Sequence, residues 1–527
     1  MLYTVAVDSI AIRLQDENAA LREQIVALDD RVADYSAQIT HISEQVNARD
    51  QRIRQLEELI HTLRHKQFGA SSEQAPGQGL LFDEAVEHDA EEPPEDDTIT
   101  VQAYQRQAKR RPRLSADLPR VDVIHDLSDE EKVCPDHGCA LAPMGEEISE
   151  RLRFIPATVE VERHICRKYT CPQCEGHIVT ASKPAQLIPK SIATPSLLSW
   201  VTVSKYADGL PLYRQSTIFV RLGIELDRTT LARWMMACGE AVQPLINLLW
   251  DRIRQSALVH MDETQVQVLD EPGKTPQSQS YMWVAVAGST GQSVVIFHYT
   301  PDRTKATPTA LLSGYQGALM ADGYASYDEV CRQDALVRLG CWAHARRKFV
   351  DAQRLQPKGK TGKPDQALAF ISQLYRLERK LANETDPEKI RAAREEHAKP
   401  VLIRLEEWLE SSLPMTTPGS TLGKAMTYLK NQWPRLIRYV EDGRYPIDNN
   451  RAENAVRPFV IGRKNWMFSQ SVAGVRASAN LYSLIETAKG HGLDPYQYLT
   501  WVFTDIPKAT CLEDFEALLP DRIKHGG

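Results

Sequence analysis

Hydrophobic positions recur in a heptad over residues 14–63. One seam runs through Leu14, Leu21, Leu28, Tyr35, Ile42, Arg49, Leu56 and Leu63, the other through Asn18, Ile25, Val32, Ile39, Val46, Ile53 and Ile60. β-Branched residues at one seam position and mostly Leu at the other predict a parallel two-stranded coiled coil, with Asn18 fixing its register. The alternative is one long amphipathic helix packed on the chain's own core, but a single Arg in seven heptads favours self-association. Periodicity stops at Phe68, and Gly, Pro and acidic residues to Asp97 predict a disordered linker. Further on, Ala257–Val268, Tyr281–Ala287 and Ser293–Tyr299 read as three successive strands. A helix from about Thr307 leads to a strand ending at Met320-Ala321-Asp322, and Ala335–Cys341 reads as another strand. Residues 364–443 are helical throughout, after which Glu453 opens a further helix.

Three strands, a helix and a fourth strand is the order of an RNase H-like sheet, in which the first and fourth strands are neighbours. Asp262 and Asp322 would then approach despite 60 residues of separation. Between 194 and 254 the pattern is helical, and P-L-Y-R-Q-S-T-I-F-V-R-L-G-I-E-L-D-R-T-T-L-A-R-W resembles a helix-turn-helix. One helix ends near Leu222-Gly223, and Asp227 caps the next. That motif would present Arg228, Thr229, Thr230 and Arg233 to a groove, and a structural helical bundle is the alternative.

The expected architecture is multidomain α/β. It comprises a coiled coil (10–66), a linker acidic then basic (67–120), a zinc-binding β domain (121–185) and a helix-turn-helix-like domain (186–254). An RNase H-like core follows (255–355 and 444–490), split by a helical insertion (356–443) and ending in a C-terminal segment (491–527).

Composition adds where charge and sulfur sit. The net charge of −7 argues weakly against a polyanion partner, but its distribution argues for one. Residues 83–97 hold nine acids and no Lys or Arg, whereas 106–120 hold six Lys or Arg and one Asp. The basic run of Lys109, Arg110, Arg111 and Arg113 suits a minor groove or phosphates. No apolar run spans a membrane and no signal peptide opens the chain, so a cytosolic location is expected. Nine cysteines there are not a disulfide framework. Cys134-Pro-Asp-His137-Gly-Cys139 and Cys171-Pro-Gln-Cys174, flanking the β-like run 153–165, suit a structural Zn²⁺. Its ligands would be Cys134, Cys171, Cys174 and either His137 or Cys139, while Cys166 is read as a strand residue.

Asp262, Asp322 and Glu453 lie in V-H-M-D-E-T, M-A-D-G-Y and D-N-N-R-A-E-N. Three converging carboxylates are what a site acting on phosphodiesters needs to hold Mg²⁺ or Mn²⁺. Asn450, Glu453 and Arg457 would share one helix face, setting a guanidinium beside the carboxylate for a phosphate. His344, Arg346, Arg347 and Lys348 would hold phosphates beyond a strand end or simply open a basic surface helix. Arg463 and Lys464, beside Trp466, are further strand contacts, and Trp342 is read as core before base-stacking.

These motifs, with C-W-A-H-A-R-R-K-F, Y-P-I-D-N-N-R-A-E-N-A-V-R-P, I-G-R-K-N-W-M-F-S and K-Y-A-D-G-L-P-L-Y-R-Q, closely resemble the transposases of insertion-sequence family sixty-six. The resemblance implies a DDE-type recombinase whose triad is Asp262, Asp322 and Glu453, with His137 where the family commonly has Cys. It implies metal-dependent cleavage at element ends and strand transfer into target DNA, in the bacterial cytosol at the nucleoid. The partners expected are terminal inverted repeats, target DNA, a second copy of the chain and element-encoded accessory proteins. A catalytically inactive DNA-binding regulator or scaffold is the alternative.

Overall fold

A computed structural model describes residues 19, 21–46, 49, 159–170 and 178–523, less 290, 334–335 and 357–360. The expected zinc ligands Cys134, His137, Cys139, Cys171 and Cys174 lie outside the described residues, as do the basic run Lys109–Arg113 and the acidic linker. The chain divides into two units, 75–165 and the remainder.

In the smaller unit only 159–165 is described, and the strand expected there is absent. Val161 and Ile165 are exposed, and no neighbouring strand among the described residues offers this segment a ladder. In the larger unit β1 (Lys168–Thr170) instead pairs antiparallel with β2 (Ile178–Thr180). Cys166 therefore precedes the strand rather than lying in it.

Helix α1 spans 21–46, and its seam residues from Leu21 to Val46 are all exposed. Four helices follow the small hairpin: α2 (Pro195–Tyr206), α3 (Leu212–Arg221), α4 (Arg228–Ala241) and α5 (Gln243–Arg254). The turn between α3 and α4 uses Gly223 at φ +79°, where a side chain would be strained. The Asp227 carboxylate then accepts from Thr230 N at 2.6 Å, satisfying a free donor at the start of α4. Phe219, Leu231, Trp234 and Met235 are buried on the inner face of this pair.

The main sheet is built from β3 (Leu258–Asp270), β4 (Gln279–Ala287), β5 (Val294–Thr300), β6 (Ala318–Ala321) and β7 (Val337–Gly340). Their spatial order is β5-β4-β3-β6-β7, antiparallel on the β5 side and parallel from β3 to β7. The first and fourth strands are thus hydrogen-bonded neighbours. Helices α6 (Ala306–Leu311) and α7 (Ala325–Gln333) flank β6, and α8 (Trp342–Arg354) follows β7. Of these α7 was not expected from the sequence.

The insertion is helical: α9 (Lys363–Leu381), α10 (Pro387–His397), α11 (Lys399–Ser412) and α12 (Thr421–Leu436). Its core takes in Trp342 and Phe349 of α8. Trp342 is fully buried and donates to the Leu436 carbonyl at 2.9 Å, which makes it a core residue. Buried Arg394 forms a two-pronged pair with Glu378 at 2.9 and 2.7 Å, and its Nη1 reaches the carbonyls of Tyr439, Asp442 and Tyr445. It thereby latches the returning chain to the insertion.

That chain enters α13 (Asn450–Trp466), then β8 (Ser469–Ser471), which pairs with the far half of β3, and α14 (Val472–Gly490). Helix α14 covers edge strand β5: Phe297 N donates to Ser483 Oγ at 2.8 Å and Val295 N to Thr487 Oγ1 at 3.0 Å. Strand donors that would otherwise be orphaned are satisfied this way. The remaining helices are α15 (Pro495–Asp505) and α16 (Leu512–Ala517). No helix among the described residues is long and apolar enough to cross a membrane.

Candidate active site

The sheet register brings the two aspartates together. It pairs His260 of β3 with Met320 of β6, and two more steps along both strands set Asp262 beside Asp322, the residue after β6. Residues aligned across parallel strands share a face. Asp322 Oδ1 also accepts from Tyr324 N at 3.0 Å, which closes the turn after the strand.

Glu453 arrives on α13, whose start is fastened to the same strand. The fully buried Asn449 donates its amide to the Met261 carbonyl at 2.8 Å, and its Oδ1 lies 3.0 Å from His260 Nδ1. Its backbone N–H meets Cys341 Sγ at 3.2 Å. One helical turn later Glu453 N donates back to the Asn449 carbonyl at 3.2 Å, and the residue is 4% exposed.

The carboxylates act on one another. Burial raises Asp262 well above the usual carboxylate range, and Glu263, Glu453 and Asp322 add to the effect. Glu263, the second acid of the D-E doublet, is not among the residues the sequence pattern singles out. Burial raises it too, with Asp322 reinforcing and the Arg303 and Tyr327 contacts opposing. On the Glu453 side, His344 Nδ1 lies 3.4 Å from Oε1 and Arg347 Nη2 3.5 Å from Oε2. Burial lowers His344 to about 4 against the pull of Asp322, so the imidazole is neutral at pH 7. Cys341, His344 and Glu453 offer ligand atoms within 4.8 Å of one another. Burial, with Glu453 and Asp448, pushes the Cys341 thiol up, which keeps it protonated as the acceptor for Asn449.

Buried acids that raise one another's proton affinity are costly by themselves, and the oxygen donors of Asp262, Asp322 and Glu453 suit a hard divalent cation, whereas the thiol and imidazole of Cys341 and His344 beside Glu453 do not. The residues present therefore fit such an ion.

The family model described as Transposase IS66 family matches residues 190–477, which contain Asp262, Asp322 and Glu453. The chain belongs to this family. Within this transposase, the zinc-finger binding domain of transposase IS66 matches 131–175, the Transposase C of IS166 homeodomain 55–123, and the IS66 C-terminal element 483–520. The chain is 30% identical to the uncharacterized protein y4qI of Sinorhizobium fredii, over 97% of this chain and 98% of the relative. It is 32% identical to y4jD of the same organism, over 81% and 84%. A transposase is a DNA-binding protein, and the zinc-finger domain points to structural zinc.

Arg228, Thr229 and Arg233 are exposed in the first turns of α4. Lys464 is exposed near the end of α13, with Arg457 half-buried one turn after Glu453. Arg347 is turned inward to Glu453 with a side chain 16% exposed, not outward beyond the strand end. Arg346 beside it is half-buried, and Lys348 Nζ sits 4.6 Å from the centre of the Tyr428 ring. Arg463 turns to β3, with Nη1 3.3 Å from Thr264 Oγ1.

Proposed function

We propose that this transposase cuts DNA at the ends of its element and joins the freed 3′-hydroxyl to target DNA, using Asp262, Asp322 and Glu453 in an RNase H-like core. The observation that carries the reading is the parallel β3–β6 register, which aligns Asp262 with Asp322, together with Asn449, which secures Glu453 to β3. Asp262, Asp322 and Glu453 would hold Mg²⁺ or Mn²⁺. When bound, such an ion activates the attacking oxygen and stabilises the departing one.

The chain's own groups do the rest. Arg347 pairs with the Glu453 carboxylate, and the neutral ring of His344 packs beside it. Arg457 and Lys464, on the same helix, suit the backbone of the cleaved strand. Exposed Arg228, Thr229 and Arg233 of α4, with the basic run Lys109–Arg113, would recognise the terminal repeats. The exposed seam of α1 suits pairing of two copies as a coiled coil, so that both ends are cut in one assembly. Cys134, Cys171, Cys174 and His137 or Cys139 would hold the zinc.

Nicking of a duplex carrying an element end, with and without Mg²⁺, tests the reading. Asp262→Ala should lower the metal-dependent rate by a hundredfold or more, an estimate of about the size seen when charge-stabilising groups are removed. Unchanged cleavage by that variant rejects the assignment. Cleavage without joined products would leave a nuclease.

A further inference from the structure

Glu263 follows Asp262 on β3, and a strand sends successive side chains to opposite faces. Its side chain is 3% exposed, and Oε2 accepts from the Tyr327 hydroxyl at 2.6 Å. A carboxylate buried this far needs a cation, and Arg303 supplies it through Nη2 on Oε1. Arg303 is fixed from two further directions. Its guanidinium lies 3.8 Å from the centre of the Tyr324 ring, and its backbone carbonyl accepts from the Tyr324 hydroxyl. Tyr324 in turn donates its backbone N–H to Asp322. One tyrosine therefore ties this guanidinium to the second aspartate of the site.

Burial opposes the charge on Arg303, yet Glu263 and Asp322 beside it more than restore it. With one prong on Glu263, the side chain is still 36% exposed; Nε is buried without a hydrogen-bond partner among the described residues, so the donors left for a ligand are those of the Nη end. A guanidinium carries five donors in a planar fork that matches phosphate oxygens. The arrangement is that of a positioned cation at the rim of a carboxylate cluster, with donors to spare. Arg347, by contrast, lies against Glu453.

We propose that Arg303, held by Glu263 and Tyr324, binds a non-bridging phosphate oxygen of the DNA strand beside the phosphodiester that Asp262, Asp322 and Glu453 act on. Glu263 is the positioning residue, and Arg303 touches the substrate. The proposal rests on the cleavage reading above for the identity of the strand, while the contact itself is one of charge and geometry.

The test compares single-turnover nicking of an end-containing duplex with duplexes bearing one neutral methylphosphonate linkage at successive positions around the cut. Arg303→Ala should lose about a hundredfold on ordinary DNA. At one linkage, the neutral substitution should cost the native protein tenfold or more and cost Arg303→Ala nothing further, since both remove the same pair. Arg303→Lys should retain part of the rate. Because Arg303→Ala strands a buried carboxylate, the variant Glu263→Gln/Arg303→Met removes both charges together. It should regain the native thermal midpoint and remain slow. If it regains the rate as well, or if the two losses multiply at every linkage, Arg303 is only the counter-ion of Glu263 and the proposal fails. Should the native protein make no nick at all, the cleavage reading fails separately. The same linkages in a Ca²⁺-supported binding assay then decide on Arg303, with a tenfold loss confined to one linkage in the native protein supporting it and none rejecting it.

Discussion

At the scale of single residues, the candidate site is organised by groups other than its carboxylates. Asn449 joins three segments with one side chain and one backbone N–H, and without it Glu453 would swing on the first turn of a helix. The acids themselves carry a pH signature. Asp262 and Glu263 are both held above the ordinary carboxylate range, first by burial. In the unfolded chain such groups ionise near about 4. Between that pH and their higher folded values, the folded protein keeps protons that the unfolded chain has released. Stability conferred by those protons is present at low pH and is lost as pH rises through the folded values. A divalent cation held by these carboxylates would replace the protons and should restore it. In EDTA the thermal midpoint should therefore fall between pH 5 and 8, and Mg²⁺ should raise it more at pH 8 than at pH 5. Asp262→Asn should flatten the EDTA profile. An equal gain from Mg²⁺ at both pH values would mean that these carboxylates do not hold the ion.

At the scale of elements, the strands and the capped helices were legible because their signals are local. Alternation marks β3, and Asp227 before Arg228-Thr229-Thr230 marks the start of α4. The neighbouring of first and fourth strands also followed from element order. What escaped depends on partners distant in sequence. Glu263 reads as one more strand acid until Arg303 and Tyr327 are seen against it, 40 and 64 residues on. Strand β8 is three residues long and exists only through its pairing with β3. Arg394 looks like one more charge on a polar helix, yet it is 4% exposed and holds Glu378 and three carbonyls. Breaking a buried pair costs about 3–5 kcal/mol because the other charge is stranded. Arg394→Met should lower unfolding free energy by about that amount. It should also slow nicking at temperatures where the variant is folded, since the segment 442–448 that leads into α13 loses its latch. Arg394→Met/Glu378→Met should recover much of the stability. A denaturant midpoint unchanged in the single variant would show that the latch contributes nothing.

At the scale of the whole molecule, the candidate site lies largely buried, whereas the seam of α1 is exposed among the described residues. The heptad was plain in the sequence because seam residues repeat without regard to the rest of the fold. Within the described part of α1, Leu21, Ile25, Leu28, Val32, Tyr35, Ile39, Ile42 and Val46 are between 49% and 68% exposed. A monomer leaving such a stripe in water forgoes the burial that drives most association. A second copy laid parallel would cover it, and the transposase would then hold two sites and two sets of end-binding surfaces in one particle. Charges placed at the seam centre should undo this without touching the fold that begins near residue 190. Val32→Glu/Ile39→Glu is therefore expected to halve the mass measured by light scattering while leaving the far-unfolding transition of the catalytic unit in place. The same variant should still nick a single end, at a rate within about a few-fold of native, because removing multivalency weakens binding and leaves the chemistry intact. It should lose the coupling between ends: on DNA carrying two ends, the native protein should cut both in one binding event and the variant should cut them independently. A native mass equal to one chain at micromolar concentration would end the coiled-coil account and leave α1 to a different partner.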